Sequence, residues 1–391
     1  MSGRLQSFEG ARVFDGKKMH ESMAVLVEGS VVKALVARGD VPQEAQRMDL
    51  KGGILAPGFV DLQVNGGGGV MLNSAPTVEA LKVMEAAHAG LGATTILPTL
   101  ITDTKEHTKA AIEAVKGAIE AGIEGIAGLH LEGPHLSIAR KGAHDPALIR
   151  PMEDKDLSLL VEAAKALPVL KVTLAPESAS LAQIRALKKA GVVVALGHTD
   201  APFADCVAAL DAGASLVTHL FNAMSQLTNR EPGLVGAAIS HPRAAAGLIA
   251  DGIHVHPASL RTAWRAKQGA EALYLVSDAM ATAGSKINHF ILNGRKICRN
   301  GARLTLEDGT LAGAHLDLAT AIAFMTRDVG VPESEALAMA TACPARLAGL
   351  GDRGRIAPKA RADLVHLSDD LTLRAVWRSG QPHERASATS D

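Results

Sequence analysis

From about residue 59 onward, short runs of β-branched and aliphatic residues alternate with Ala-rich stretches of helix length, and this repeat constrains the fold more than any other feature. Eight strand candidates recur in order: FVDLQV, ATTILP, IAGLHLE, LKVTLAPE, VVVALGH, SLVTHLF, AAGLIADG and ALYLVSD. Amphipathic segments such as VEALKVMEAAHAGL, HTKAAIEAVKGAIEAG, DKDLSLLVEAAKAL, LAQIRALKKAG and APFADCVAALDAG separate them, several ending in glycine. Eight β-then-α units predict an α/β fold, a (β/α)8 barrel of the TIM type. A doubly wound open sheet would need a phosphate-binding glycine turn after an early strand, and Gly66 to Gly69 lack that spacing.

The chain ends follow a different pattern. Residues 1–56 and 355–391 alternate apolar and polar residues between turn glycines, and the second stretch is too short to fold alone. Together they predict one small β-sandwich domain built from both ends, with the barrel spanning 57–354. A strand-and-turn pattern at about 286–314 predicts a β insertion after the eighth strand, and long loops at that end of a barrel usually carry function.

Composition limits the partners. Forty Lys+Arg against 41 Asp+Glu give a formal net charge of -1, so no diffuse positive field steers the chain to nucleic acid or anionic lipid. An anionic small molecule would need a local site. Aromatics make up only 3% of the residues, which leaves little surface for stacking a sugar. Cys206, Cys298 and Cys343 are widely spaced without a CxxC pair, which speaks against disulfides and thiolate zinc sites. No apolar signal core or span of roughly 20 apolar residues is visible, so a cytoplasmic location is expected.

Barrel enzymes draw catalytic groups from the C-terminal ends of several strands. Here the first strand closes in Gln63 and Asn65, the third in Glu132, the fifth in His198, the sixth in His219 and the eighth in Asp278. One carboxylate and two imidazoles converging at the mouth would bind one divalent ion per subunit and leave a position open for water. Such ligands suit zinc or ferrous iron, and the pattern does not separate the two. Asp278 is expected as the general base and then general acid. Gln63 and Asn65 bind metal weakly and are expected to line the site.

These residues also carry a resemblance. PGFVDLQVNGGGG, LHLEGPHLS, KGAHDP, LGHTDA, THLFNAM, REPGLVGAA, ADGIHV, VSDAMATAG and GTLAG follow the order and approximate spacing of the N-acetylglucosamine-6-phosphate deacetylases of the amidohydrolase superfamily. The resemblance spans nearly the whole chain and implies hydrolysis of N-acetyl-D-glucosamine 6-phosphate to D-glucosamine 6-phosphate and acetate. It matches Glu132, His198 and His219 to the metal ligands and Asp278 to the catalytic acid/base. Gln63-Val64-Asn65 replaces the His-x-His that holds a second metal in many amidohydrolases, so a single tight site is implied. Ala143, His144, Asn222, Ala223, Arg230, His254, Leu311, Ala312 and Gly313 resemble the substrate contacts. Among them Arg230 and His254 are expected at the phosphate, with Arg230 reaching across a homodimer interface and His144 aimed at the acetyl carbonyl.

Other readings are a deacetylase for the galacto epimer, another amidohydrolase such as a cyclic amide hydrolase, and a non-catalytic sugar-phosphate binding protein. The sequence departs from the family pattern at His135, where relatives often carry an aromatic residue, and at PKARADL, which lacks a usual glycine. His135 and Glu177 are read as loop or structural residues near the mouth, and Cys206 as packing. His256 precedes a proline at a helix start, which disfavours a ligand role. His88, His107, His241, His289, His315, His366 and His383 receive no role.

Overall fold

The computed structural model describes residues 4–267 and 272–383. The barrel strands are β1 (Phe59–Val64), β2 (Ala93–Ile101), β3 (Leu129–Glu132), β4 (Leu170–Leu174), β5 (Val193–Leu196), β6 (Leu216–Val217), β7 (Ala245–Leu248) and β8 (Leu273–Leu275). They pair in parallel in that order. The ring closes beyond β8: Asp278 N–H donates to Gln63 O at 3.1 Å, and Asn65 N–H to Ala279 O at 2.9 Å. The closing seam therefore runs through three of the polar strand ends.

The helices between and after these strands are α1 (Val78–Gly90), α2 (Lys105–Glu120), α3 (Asp154–Ala166), α4 (Leu181–Lys189), α5 (Phe203–Ala212), α6 (Gly233–Ser240), α7 (Pro257–Ala266) and α8 (Leu318–Phe324). Their starts are written locally. Thr77, Thr104 and Asp317 accept from backbone N–H groups of the first turns of α1, α2 and α8, and Ser180 with Gln183 forms a capping box on α4. α5 ends at Gly213, whose φ of 134° suits a residue without a Cβ. α4 turns Ile184 and Leu187 inward, both fully buried in the barrel's apolar cluster. Each such side chain contributes roughly 1.5–3 kcal/mol by leaving water.

The chain ends meet in two sheets. Strands Met19–His20, Arg12–Phe14, Ile54–Pro57, Leu364–Leu367, Leu373–Arg378 and Gln381–His383 form one, in that side-by-side order. Val31–Ala37, Met23–Glu28, Leu5–Glu9 and Gln46–Asp49 form the other. Phe8, Val13, Val25, Val27, Leu55, Leu364 and Trp377 pack together, with the Phe8 and Trp377 rings edge-on at 5.0 Å. The insertion is a three-stranded sheet, His289–Leu292, Arg295–Asn300 and Arg303–Thr305. Its Phe290, Leu292, Ile297 and Leu304 pack on Met71, Ile101 and Met280 beside the barrel mouth.

Several elements go beyond the sequence reading. Gly66–Gly67 pairs with Val70–Met71, and helices Glu333–Ala340 and Ala342–Leu347 follow α8. β6 is two residues long although SLVTHLF reads as a longer strand, because His219 takes φ 31° and turns the chain out of the ladder.

His88, on α1, is fully enclosed; its Nε2–H donates to Gly66 O at 2.8 Å, and burial pushes its pKa down to about 4. The unfolded chain then binds a proton that the folded chain refuses between about pH 4 and 6.5. Its stabilising contribution is whole above pH 6.5 and is lost as pH falls through that window. At pH 5 the loss is about 2 kcal/mol. Urea unfolding at pH 7.5 and 5.0 should show a smaller acid loss in His88→Gln than in wild type; an equal loss rejects the assignment.

Candidate metal and catalytic site

A cavity of about 400 Å³ opens at the C-terminal end of the barrel and is lined by Asn65, Glu132, Ala143, His144, His198, His219, Asn222, Ala223, His254, Asp278, Leu311 and Gly313, among others. A larger cavity of about 510 Å³ lies on the flank, between Gly90, Gly284, His315 and Leu373. Among the described residues, the one cluster of metal-ligating types sits in the smaller cavity.

That cluster is Glu132, His198 and His219, all buried, with ligand atoms within 4.8 Å of one another. Glu132 Oε1 lies 3.3 Å from His198 Nε2 and 3.0 Å from His219 Nε2, and the two Nε2 atoms are 3.1 Å apart. The Arg140 carbonyl, 2.9 Å from His198 Nδ1, can only accept, so this nitrogen carries the proton and Nε2 keeps its lone pair in the neutral ring. Two imidazole nitrogens crowded around one carboxylate oxygen, that of His198 with its lone pair inward, fit a divalent cation with three protein ligands. Burial would raise the Glu132 pKa, but the adjoining His198 and His219 imidazoles outweigh it and hold the carboxyl well below its usual range.

Asp278 lies beside the cluster and outside it. Asn65 Nδ2 donates to its Oδ1 at 2.7 Å and Gln63 Nε2 at 3.0 Å, while the same Gln63 nitrogen reaches both Glu132 oxygens at 3.2 Å. Burial, then the Glu132 charge, raises the Asp278 pKa. Gln63 Oε1, Asn65 Oδ1 and His219 Nδ1 are buried with no hydrogen-bond partner among the described residues. His198, His219 and Asp278 take φ values of 48°, 31° and 50°, left-handed conformations costing about 1–3 kcal/mol each for such residues. Each strand thus bends sharply where it delivers its polar side chain.

His144 sits with its ring centroid 4.4 Å from that of His198. Thr102 N–H donates to His144 Nδ1 at 3.2 Å, so the ring proton is on Nε2. Burial lowers its pKa well below the usual value, so it is a neutral hydrogen-bond donor. His254 donates from Nδ1 to Asp251 Oδ2 at 2.6 Å and lines the cavity. Beneath the site the barrel interior is polar: His130 bridges the Thr99 and Thr173 hydroxyls, and enclosed Lys171 reaches Leu62 O at 3.3 Å.

Most of the substrate positions read from the sequence meet in this cavity, but two lie elsewhere. Arg230 is exposed and absent from the lining, and Ala312 is fully buried against the insertion. Arg140, which the sequence reading passed over, is the one arginine or lysine lining the cavity among the described residues. Residues 54–382 match the sequence profile of the amidohydrolase family.

The chain belongs to the amidohydrolase family.

Among its relatives, N-acetylgalactosamine-6-phosphate deacetylase of Shewanella sp. (strain ANA-3) is 42% identical over 375 residues, covering 95% of this chain and 94% of that protein. N-acetylglucosamine-6-phosphate deacetylase of Haemophilus influenzae is 34% identical over 333 residues, 84% of this chain and 86% of that one. The structure of N-acetylglucosamine-6-phosphate deacetylase from Pasteurella multocida superimposes with a TM-score of 0.93 at 32% identity, over 97% of this chain and 99% of that chain. A Mycobacterium smegmatis deacetylase mutant in complex with N-acetyl-D-glucosamine 6-phosphate gives 0.90 at 34% identity, over 97% and 99%.

Other polar residues of this amidohydrolase have roles away from the cluster. His256 caps α7, its Nδ1 accepting from Ala258 N–H at 3.1 Å. His135 Nδ1–H donates to Arg150 O at 3.2 Å and braces its loop. Cys206 is buried in α5. The Asp-x-x-His spacing of Asp251 and His254 could have marked the former as a partner, since it also accepts from the N–H groups of Ile253 and His254.

Proposed function

We propose that this amidohydrolase hydrolyses the N-acetyl group of N-acetyl-D-glucosamine 6-phosphate, releasing acetate and D-glucosamine 6-phosphate. The observation that carries the reading is the convergence of Glu132, His198 and His219 beside an acid, Asp278, whose Oδ2 accepts no hydrogen bond among the described residues. A divalent ion held by these three ligands, zinc or ferrous iron, supplies Lewis acidity toward the acetyl carbonyl and the attacking water. Asp278 takes the proton from that water and passes it to the departing amine, whose expulsion as an anion would be prohibitive. Gln63 and Asn65 hold Asp278 through Oδ1 and leave Oδ2 to move the proton. His144 donates Nε2–H to the acetyl oxygen as negative charge develops there.

Asn222, Ala223 and His254 receive the sugar phosphate, and Leu311 and Gly313 close the far wall. Ala312 anchors that wall by packing on the insertion. Arg230 serves the cavity of a second subunit in a homodimer, a reading supported by its exposure beside Leu227, an exposed apolar side chain. Arg230→Ala should then raise KM for the phosphorylated sugar about 10–100-fold and leave the unphosphorylated sugar unaffected. Equal losses on both remove Arg230 from the phosphate.

The galacto epimer is a second reading, favoured by the 42% identity to a protein named for it. Acetate release from the two epimers, with metal quantified in the same sample, tests both; no release from either sinks the proposal. Free Cys206, Cys298 and Cys343 support a reducing compartment such as the cytoplasm, and no helix among the described residues is long and apolar enough to cross a membrane.

A further inference from the structure

Glu177 closes the segment after β4 and sits outside the metal cluster, yet its carboxylate is aimed at the metal-ligand loop. Oε1 accepts from Asp200 N–H at 2.7 Å, and Oε2 accepts from the Thr199 hydroxyl. These are the two residues that follow His198. Asp200 Oδ1 in turn accepts from Arg140 Nε at 2.8 Å, and the Arg140 carbonyl accepts from His198 Nδ1–H at 2.9 Å. The path returns to the residue it started beside. The two residues that follow His198 and its distal ring nitrogen are thus joined by one closed set of bonds.

His198 needs such support. Its φ of 48° is a left-handed conformation that an L-residue holds only when its surroundings impose it. On the N-terminal side the barrel does this, through Gly197 N–H to Leu174 O at 3.2 Å. On the C-terminal side the carboxylate of Glu177 and the Ser225 N–H to Thr199 O bond at 2.9 Å take over. His219, by contrast, has no partner on Nδ1 among the described residues, so this kind of support behind the ring is seen at His198.

We infer that Glu177 and Asp200 are positioning residues for the ligand His198, acting through Thr199 and Arg140. The inference rests on the metal reading proposed above. Partners behind a ligating histidine fix its tautomer and direction, and losing one typically costs 10–100-fold in metal affinity. Glu177→Gln replaces the charged carboxylate by a neutral amide and so loses the charge-assisted bonds to Thr199 and Asp200, and zinc affinity should fall about tenfold. Thr199→Val, which removes the hydroxyl, should do the same, and Thr199→Ser, which restores it, should stay within about twofold of wild type. The Arg140–Asp200 pair is about half exposed, so Asp200→Asn should cost about threefold.

The experiment is zinc competition against a chromogenic chelator on the full chain, with urea unfolding of the metal-free protein in parallel. Weakened zinc binding at an unchanged unfolding midpoint, reversed in Thr199→Ser, supports positioning, because a general packing defect would move the midpoint as well. Zinc affinity within about twofold of wild type in both Glu177→Gln and Thr199→Val overturns the inference. If Glu177→Gln fails to fold, the Thr199 pair decides alone. Wild type that binds zinc and releases no acetate removes the proposed function and leaves this inference standing; wild type that binds neither zinc nor ferrous iron overturns both.

Discussion

Asp278→Asn is expected to lower kcat on the phosphorylated sugar by roughly 10²–10⁴-fold while the bound-metal content stays near that of wild type. The amide is nearly isosteric and can keep contact with Gln63 and Asn65, so the strand-end turn at φ 50° should survive. What it cannot do is accept the proton of the attacking water and return it to nitrogen. Because both neutral donors sit on Oδ1, they fix the rotamer without consuming the oxygen that works. KM should change little, since Asp278 acts on charge that develops only during reaction. Steady-state kinetics with elemental analysis of the same preparation checks this, and a rate within a few-fold of wild type would falsify the assignment.

His198→Ala and His219→Ala should each lower zinc affinity by more than about 100-fold, since partners one shell further out already cost 10–100-fold. Activity should disappear with the metal. The two variants should differ in how activity responds to added zinc. His198 is tied at Nδ1 to the Arg140 carbonyl and at its flanks to Glu177, so its removal also frees the loop that carries Ala143 and His144. His219 is held through Nε2, against Glu132 and His198, with no partner on Nδ1 among the described residues, so its removal chiefly empties one ligand position. Excess zinc should therefore restore a larger share of activity in His219→Ala. Full metal content in both variants, measured after dialysis, would reject the site.

The barrel was readable from the chain because its strands are apolar runs that each close on a polar residue, a pattern set by burial. FVDLQV and ATTILP reappear as β1 and β2 with starts at Phe59 and Ala93. Glu132, His198, His219 and Asp278 stood out for the same reason, being polar groups at the one end of a strand that faces a cavity. Thr102 and Arg140 did not, because their contacts join loops far apart in sequence and leave no periodic trace. Ala312 could be placed near the site by motif but not by facing: Thr310, Leu311 and Gly313 line the cavity, while Gly313 bends the chain at φ 65° and Ala312 packs on the insertion. For Arg230 the sequence supplies a cation and the fold decides which cavity it faces; within one chain it lines none of the mouth.

The pairing of Ile54–Pro57 with Leu364–Leu367, and of Gln63 with Asp278, sets the order in which a nascent chain can become active. On the ribosome, β1 to β7 emerge with an open edge and unsatisfied backbone groups until β8 arrives to close the ring. The sheet that flanks the barrel waits longer still, for its third and fourth strands are separated by the entire barrel. Asp278 joins the ligand cluster only at that closing step, so no prematurely released fragment ending before it can assemble a complete hydrolytic centre. Synthesis arrested upstream should yield chains that seek chaperones and remain catalytically silent.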